Sequence, residues 1–378
     1  MKKLIAFLSI FIIFVSYGIY NEMYFYEYFK AVSKINSSEN QKCKLYPYEN
    51  PIETFIPLTE EIFVGGSTDY GKRFLNFKYL EHDYEKGSLA IFNKTSGKIF
   101  KAQIENFPKN VPISPDGLDF YNGKLYVINH AYLEGERIEV INMSIKPLKL
   151  TYEKTFKFDK DYFGKFNSIA VINEDIFYVT SWLANALPLD KNISKFKMFL
   201  YKYYDIIKRV LNLKFTYLYK FNMRNNTLEK INGSNGIGNN GIAFDKNNKL
   251  LFMAQTFERN IKVYQIDDMG DIKNFEKDLY TGYALDNLYF DNKKNILYAA
   301  IIGKISDNFN FLNPKNGISR KQVYGGILAY DLKKGDQPMY TFLQNDFICQ
   351  VTHGMIINNY IYLSSFYDSG ILECEILN

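Results

Sequence analysis

Five short segments of the chain repeat one pattern, and this repetition constrains the fold more than any other feature. Each begins with a polar residue, continues with a small or amide residue, and runs into an alternating apolar strand. The five segments are Asp116–Phe120, Asn167–Val171, Asn240–Phe244, Asp286–Phe290 and His353–Ile357. After a turn, each is followed by a second apolar strand, at 124–128, 176–180, 250–254, 296–300 and 360–364.

Repeated units of this kind are typical of a β-propeller, in which each unit is one blade. The first strands of the blades then surround a common axis, and the polar residues at their starts converge there. Four of the five leading residues are Asp or Asn. Their side-chain oxygens are the ligands that calcium prefers in proteins.

The spacing of the segments predicts six blades in a single domain. A four-stranded blade takes roughly 40 to 50 residues, so two of the intervals contain insertions, at 195–214 and 304–322. The region from Glu61 to about Lys101 supplies a further blade. We therefore expect an all-β, six-bladed propeller over 43–378, closed by its N- and C-terminal strands.

Composition supports a globular β-rich protein and excludes several functions. Tyr and Phe number 32 each, and both residues favour strands. The net charge of +5 is modest, with no long basic block, so nucleic-acid binding is not expected. The sequence has no Gly-rich phosphate loop, no Gly-x-Ser-x-Gly nucleophile elbow and no Cys/His zinc spacing.

The N-terminus indicates entry into the secretory pathway. Lys2 and Lys3 precede an apolar run over 4–19, which is typical of a signal peptide or of a retained hydrophobic anchor. Residues 21–42 then read as a short helix or stalk. We expect a secreted or membrane-anchored, extracellular or lumenal glycoprotein. The sequons that support this lie at Asn36, Asn93, Asn142, Asn192, Asn225 and Asn232.

Three cysteines are present, Cys43, Cys349 and Cys374. An oxidising compartment permits one disulfide and leaves one thiol over. A Cys43–Cys374 bond would join the two ends of the chain, as closure of a propeller requires. The alternative is that all three are buried thiols.

The first insertion predicts one amphipathic helix over 195–214. Apolar residues fall at helical spacing on one side, and the opposite side is mostly basic. The helix could cap the sheet ends with its apolar face. It could also form a lid that contacts a lipid surface, so 1–20 and 195–214 are the expected contacts with a membrane or lipid particle.

Several segments together resemble the paraoxonase/arylesterase family. They are Tyr126–His130, which ends in Asn-His, Asn167–Val171, Asn240–Ile242, Leu285–Asn287, and Cys43 with the C-terminal Cys374–Leu377. The resemblance implies a six-bladed propeller with two calcium ions in its central tunnel. One ion is catalytic and polarises the carbonyl of an ester or lactone.

The resemblance also assigns metal ligands. Asn167, Asn240, Asp286 and Asn287 match ligands of the catalytic ion. Glu53 matches either its glutamate ligand or a ligand of the second, structural ion. That second ion takes an Asp where this chain has Ser168, with Asp116 or the Leu118 carbonyl oxygen as a compensating ligand, so one calcium is expected more than two.

The family's histidine pair is altered. His130 matches its second member, and Asp116 stands in place of the first. The resemblance then implies that Asp116 and His130 carry out proton transfer. His353, at the start of the last segment, either lines the tunnel or is a buried structural histidine.

The sequence thus favours a calcium-dependent arylesterase or lactonase that acts on a small apolar ester or lactone. Two alternatives stay open. One is a propeller enzyme of the gluconolactonase or strictosidine synthase type. The other is a secreted propeller without catalysis that binds a partner through its loops.

Overall fold

The computed structural model describes residues 16, 36–37, 42–69, 87–131, 135–186, 194, 196–197, 200, 204, 208, 213–303, 323–344 and 347–376. These residues form β structure almost throughout, as the alternation of apolar and polar residues predicts. The strands are β1 (Asn36–Ser37), β2 (Cys43–Pro57), β3 (Ile62–Ser67), β4 (Ser88–Asn93), β5 (Lys98–Lys101), β6 (Ile104–Glu105), β7 (Pro115–Tyr121), β8 (Lys124–Ala131), β9 (Gly135–Ile145), β10 (Leu148–Lys157), β11 (Phe166–Val171), β12 (Ile176–Ser181), β13 (Leu218–Asn222), β14 (Thr227–Lys230), β15 (Asn239–Asp245), β16 (Leu250–Gln255), β17 (Asn260–Ile266), β18 (Ile272–Tyr280), β19 (Ala284–Asp291), β20 (Ile296–Gly303), β21 (Gly325–Asp331), β22 (Tyr340–Gln344), β23 (Val351–Ile357), β24 (Tyr360–Ser365) and β25 (Ser369–Glu375). A short 3₁₀ helix spans Lys160–Tyr162.

The described strands make five sheets in a propeller arrangement. Four of them have the size of single blades: β7–β10 with β6 at the edge, β11–β14, β15–β18, and β19–β22 with β1 at the edge. Within each, the four consecutive strands form antiparallel pairs in chain order. The edge strands β6 and β1 pair in parallel with β10 and β22. The fifth sheet has seven strands in the order β23-β24-β25-β2-β3-β4-β5.

The seven-stranded sheet corrects the expectation of six separate blades. Strand β2 is 15 residues long. Its first half pairs with β25 and its second half pairs with β3. One strand therefore joins what the sequence predicts as two blades into a single continuous sheet.

The hydrophobic core lies between neighbouring sheets. Ile138 and Phe177, for example, belong to a cluster shared by β7–β10 and β11–β14. Similar clusters join β11–β14 to β15–β18, and β15–β18 to β19–β22. Large rings fill these interfaces, and Tyr178, Tyr298, Tyr330 and Tyr362 are among the largest fully buried side chains. This packing accounts for the high content of Tyr and Phe.

The predicted disulfide is confirmed. Cys43 and Cys374 are bonded and lie opposite each other in the register of β2 and β25. The bond therefore joins the first long strand to the last one. Cys349, the third cysteine, is buried and takes no part in the disulfide.

The predicted helix over 195–214 is not seen as a continuous element, and most of that range lies outside the described residues. Its helical positions that are described are Phe196, Lys197, Leu200, Tyr204 and Lys208. Phe196, Leu200 and Tyr204 are exposed. Phe196 belongs to the apolar face that was predicted to pack on the sheet ends, and at this residue the face is open to solvent.

The predicted leader at 1–20 and stalk at 21–42 also lie largely outside the described residues. In the described part of the chain, no helix combines the length and apolar character that crossing a membrane requires. Of the predicted glycosylation sites, Asn142, Asn225 and Asn232 are exposed and Asn93 is partly buried.

Candidate functional site

Six inner strands carry the site residues, and each contains a local irregularity at the same place. Strands β7, β11, β15, β19, β23 and the second half of β2 all shift register by one residue near their N-terminal ends. Such bulges bend a strand and redirect side chains, and they are common beside active sites. Each inner strand contacts the next one along the chain, and β23 contacts β2.

The bulges place equivalent polar residues at equivalent positions. One residue in each strand is the first inside the register shift. In β7, β11, β15, β19, β23 and β2 these residues are, in that order, Asp116, Asn167, Asn240, Asp286, Thr352 and Glu53. The leading residues of four predicted segments are therefore correctly aligned. Glu53, which the sequence could match to two ligand positions, occupies the corresponding place in β2.

The alignment of His353 is corrected by one residue. The shift in β23 lies between the pairs Val351–Ser365 and His353–Ser364. Thr352 is therefore the counterpart of Asp116, and His353 is the counterpart of Gly117. Sequence alone could not detect this, because Thr352 and His353 are both polar and precede the same apolar run.

Two glycines in the motifs are required by the close approach of neighbouring inner strands. A Cβ atom added at Gly117 would lie 2.4 Å from the Asn167 carbonyl oxygen. One added at Gly241 would lie 2.4 Å from the backbone nitrogen of Leu288. Larger side chains at these positions would push the polar residues of adjacent strands apart.

Four buried oxygens at the centre have no hydrogen-bond partner in the described structure. They are the Oδ1 atoms of Asn167, Asn240, Asp286 and Asn287. The four side chains are between 3 and 6 % exposed. An unsatisfied buried acceptor costs about 1–3 kcal/mol, and these four oxygens on three adjacent inner strands have the chemistry of ligands to a hard cation.

The electrostatics of the site favour a cation. Burial raises the pKa of Glu53 well above its ordinary value, and the nearby charges of Asp116 and Asp286 raise it further. The pKa of Asp286 is also raised, first by burial and then by Asp116, although the Asn240 amide partly offsets this. Like charges in a desolvated site repel, so a bound cation would relieve the repulsion among these three carboxylates.

The donor set fits one calcium ion. Within the described residues, no three His, Cys, Asp or Glu side chains group closely enough to hold a metal by themselves. The ligands would therefore be mainly neutral amide oxygens, completed by Asp286 and Glu53. Calcium accepts such mixtures of carboxylate and amide oxygens, whereas zinc requires nitrogen, sulfur or several carboxylates.

The residues expected at a second ion are engaged in the sheets. The Ser168 hydroxyl accepts a hydrogen bond from the Ile242 backbone N–H at 3.3 Å. The Ser168 backbone N–H donates to the Thr180 hydroxyl at 3.2 Å. Leu118 is buried and lies opposite Val127 in the register of β7 and β8. Ser168 thus takes part in the hydrogen bonding between strands, and its neutral hydroxyl lacks the negative charge of the aspartate that it replaces.

His130 and Asp116, the two residues expected to carry out proton transfer, are in direct contact. The His130 Nε2 lies 3.0 Å from Asp116 Oδ2, and its Nδ1 lies 2.9 Å from Glu136 Oε2. Burial lowers the pKa of His130, but Glu136 and Asp116 outweigh this and raise the pKa to about 10. The imidazole is therefore charged at neutral pH and donates to both carboxylates.

Sequence reasoning did not identify Glu136. It lies in β9 opposite His130 in the register of the two strands, and it also accepts the backbone N–H groups of Gly164 and Phe166 at 2.9 and 3.1 Å. The sequence feature that could have identified Glu136 is the short segment between Ala131 and Gly135. If it is read as a hairpin turn, it places Glu136 beside His130.

His353 is a second buried imidazole with different surroundings. Its Nδ1 lies 3.2 Å from the Thr54 hydroxyl, while its Nε2 has no partner in the described structure. Burial lowers the pKa of His353 to about 3, so the ring is neutral. Its ring packs edge-on against Phe55.

Comparison with known proteins agrees with the fold and the motifs. The family model described as Arylesterase matches residues 89–316, more than half of the chain. A search of curated proteins found no match. Among solved structures, a luciferin-regenerating enzyme has a TM-score of 0.52 at 10% identity, with 90% of this chain and 96% of that chain covered.

Two gluconolactonase structures are also similar. A putative gluconolactonase has a TM-score of 0.49 at 11% identity, covering 89% of this chain and 92% of the other. A gluconolactonase from Xanthomonas campestris has a TM-score of 0.49 at 10% identity, covering 90% and 91%. At 10% identity, the likeness to the luciferin-regenerating enzyme concerns the fold alone.

Proposed function

This chain belongs to the arylesterase family, and from that premise we propose that it is a calcium-dependent hydrolase of carboxylic esters or lactones. The single observation that carries the proposal is the group of four buried side-chain oxygens without partners, on Asn167, Asn240, Asp286 and Asn287. They lie on three successive inner strands. A protein that only bound a partner through its loops would have no need to leave these four oxygens unsatisfied.

Asn167, Asn240, Asp286, Asn287 and Glu53 would hold the ion. When bound, calcium would supply Lewis acidity toward the substrate carbonyl and stabilise the negative charge that develops on its oxygen. The protein's contribution is to place these ligands in a desolvated setting, where such charge stabilisation is stronger than in water.

Asp116 is the residue that would accept a proton. Its side chain is 10% exposed, against 1% for His130, so it is the more accessible member of the pair. As water attacks the carbonyl carbon, a lone pair of the water oxygen forms the new C–O bond, and one of the water protons passes to Asp116. The proton then passes to the leaving oxygen when the ester bond breaks, which returns Asp116 to its ionised form.

His130 would keep its proton throughout this cycle. Burial raises the pKa of Asp116, and the hydrogen bond and charge of His130 partly offset this rise. The contact with His130 therefore favours the ionised form of the carboxylate. An aspartate held in this way replaces the first histidine of the family's pair.

Further parts of the proposal concern architecture and location. We infer that the seven-stranded sheet corresponds to two blades that share β2, which gives six blades around the site. We also propose a secreted or membrane-anchored protein whose 1–20 and 195–214 segments contact a lipid surface. The exposed side chains of Phe196, Leu200 and Tyr204 are of the kind such a contact needs.

The proposal is tested by removal and return of calcium. The purified protein is treated with a chelator and assayed with phenyl acetate and with aliphatic lactones, before and after calcium is added back. We expect activity to vanish on chelation and to return with calcium but not with magnesium. Hydrolysis that is indifferent to chelation would reject the metal mechanism, and no hydrolysis under any condition would favour a binding protein.

A further inference from the structure

Glu136 is a fully buried carboxyl group beside the site. Its side chain has no exposure, compared with 1% for His130 and 10% for Asp116. The three side chains form a line from the interior to accessible space. Glu136 lies at the inner end and Asp116 at the outer end, where its charge acts on Glu53 and Asp286.

A buried carboxylate is costly unless its lone pairs are used, and those of Glu136 are. It accepts His130 Nδ1–H at 2.9 Å, the Gly164 N–H at 2.9 Å and the Phe166 N–H at 3.1 Å. Phe166 is the first residue of β11 and directly precedes Asn167. The Glu136 carboxylate therefore joins β8, β9 and β11 at the edge of the site.

Hydrogen bonds at both ring nitrogens fix the orientation of the His130 imidazole. With Nδ1 held by Glu136, Nε2 faces Asp116 Oδ2 at 3.0 Å. Since neither carboxylate can donate when ionised, both ring nitrogens must carry hydrogen. Rotation of the ring would break both bonds and leave Glu136 buried without its cationic partner.

We propose that Glu136 is a positioning residue for the hydrolytic reaction, holding the His130 ring by its Nδ1–H so that its Nε2–H points at Asp116 and fixes the orientation of that carboxylate. This rests on the proposed ester or lactone hydrolysis. In the part of the chain that the structure describes, the hydrogen bonds of Glu136 go to His130, Gly164 and Phe166. Its effect reaches the reaction through the two hydrogen bonds of His130.

The first test uses the histidine side chains directly. The chain has only three histidines, His82, His130 and His353, so ¹⁵N spectra of histidine-labelled full-length protein are simple to interpret. At pH 8 with excess calcium, we expect the signal of one imidazolium in the wild type. This signal should be absent in His130→Gln, and in Glu136→Gln the His130 ring should give the signal of a neutral imidazole. A neutral His130 in the wild type, or an imidazolium that survives in Glu136→Gln, overturns the proposal.

The second test separates positioning from general damage to the fold. Glu139→Gln is a matched control, because Glu139 is an equally buried glutamate on the same strand that pairs with Arg137 at 2.8 Å and not with His130. In Glu136→Gln, kcat should fall about 10- to 100-fold, the range for residues that orient a catalytic group, with KM unchanged. Glu139→Gln should lower thermal stability and leave the His130 spectrum unchanged.

The two tests distinguish the proposals. If the wild type hydrolyses neither esters nor lactones, the proposed function fails, and the histidine spectra still decide the arrangement around Glu136. If the wild type is active but Glu136→Gln changes KM and not kcat, or has unchanged kinetics, the positioning role is rejected while the proposed function stands. If Glu136→Gln does not fold, the wild-type spectrum alone decides.

Discussion

Asn240 and Asp286 occupy equivalent bulge positions on the neighbouring inner strands β15 and β19, and each has a buried Oδ1 with no hydrogen-bond partner in the described structure. The nitrogen of the Asn240 amide, in contrast, has a partner. The Asn240 amide nitrogen donates to the Thr256 hydroxyl at 3.3 Å, and that hydroxyl donates to the Leu285 carbonyl oxygen at 2.7 Å. These bonds fix the direction of the Asn240 side chain and leave its oxygen for a ligand.

Replacing Asn240 with alanine is therefore expected to abolish both calcium binding and activity. The change removes a direct ligand, so the loss in kcat/KM should exceed about 100-fold, the upper end for residues that only support a ligand. Calorimetric titration with calcium and the phenyl acetate assay measure the two effects. The matched control is Asn248→Ala, in the turn between β15 and β16, where the amide donates to Asp245 at 2.6 Å. An Asn240→Ala protein that binds calcium with wild-type affinity would reject the ligand assignment.

Calcium should bind with a stoichiometry of one ion per chain. Ser168 uses its hydroxyl and its backbone N–H in bonds to β15 and β12, and it lacks the carboxylate that would offset the charge of a second ion. Metal analysis after gel filtration in low calcium, together with titration of the chelated protein, gives the number directly. Two ions of comparable affinity would show that Leu118 or another oxygen compensates for the serine.

Gly241→Ala should disturb the site without altering any ligand. The added Cβ would lie 2.4 Å from the Leu288 nitrogen and 2.5 Å from the Asp286 carbonyl oxygen, so β15 and β19 must separate. Overpacking of this kind costs about 1–3 kcal/mol, and calcium affinity should fall with stability. Denaturant unfolding and calcium titration measure both. Ile242→Val, on the same strand, should cost about 0.5–1.5 kcal/mol and leave calcium affinity unchanged. Equal calcium affinity in both variants would contradict the close approach.

Stability should depend on pH through His353. The pKa of this buried imidazole is lowered to about 3, whereas in the unfolded chain it is about 6.5. Below pH 6.5 the unfolded chain takes up a proton that the folded protein does not, so stability is lost as pH falls through this window. Between pH 6 and 4.5, the wild type should lose about 2 kcal/mol more than His353→Gln. Denaturant unfolding of both proteins at the two pH values gives the difference, and parallel pH dependence would show that His353 does not titrate in this way.

Much of the fold could be predicted from sequence because the pattern is local. The alternation of apolar residues marks the first two strands of each blade, and the strands from β7 to β24 that contain the predicted segments lie where they were expected. The pairing of Cys43 with Cys374 followed from their places at the two ends of the domain. The continuity of β2 could not be predicted, because one long strand and two short ones have the same alternation.

The site could be predicted in part, for a similar reason. Asn167, Asn240 and Asp286 sit in recognisable motifs, and the structure brings them to equivalent positions. The placement of His353 failed by one residue, because a bulge is set by strand pairing and not by the local sequence. Glu136 was missed because its role depends on the register between β8 and β9, where it lies opposite His130.

The most direct test of the account is a crystal structure of the protein grown with calcium. One ion should appear within about 2.3–2.6 Å of the side-chain oxygens of Asn167, Asn240, Asp286 and Asn287. Anomalous scattering from the bound metal would identify it. An ion elsewhere, or these four oxygens occupied by hydrogen bonds to protein groups or water in saturating calcium, would contradict the central claim.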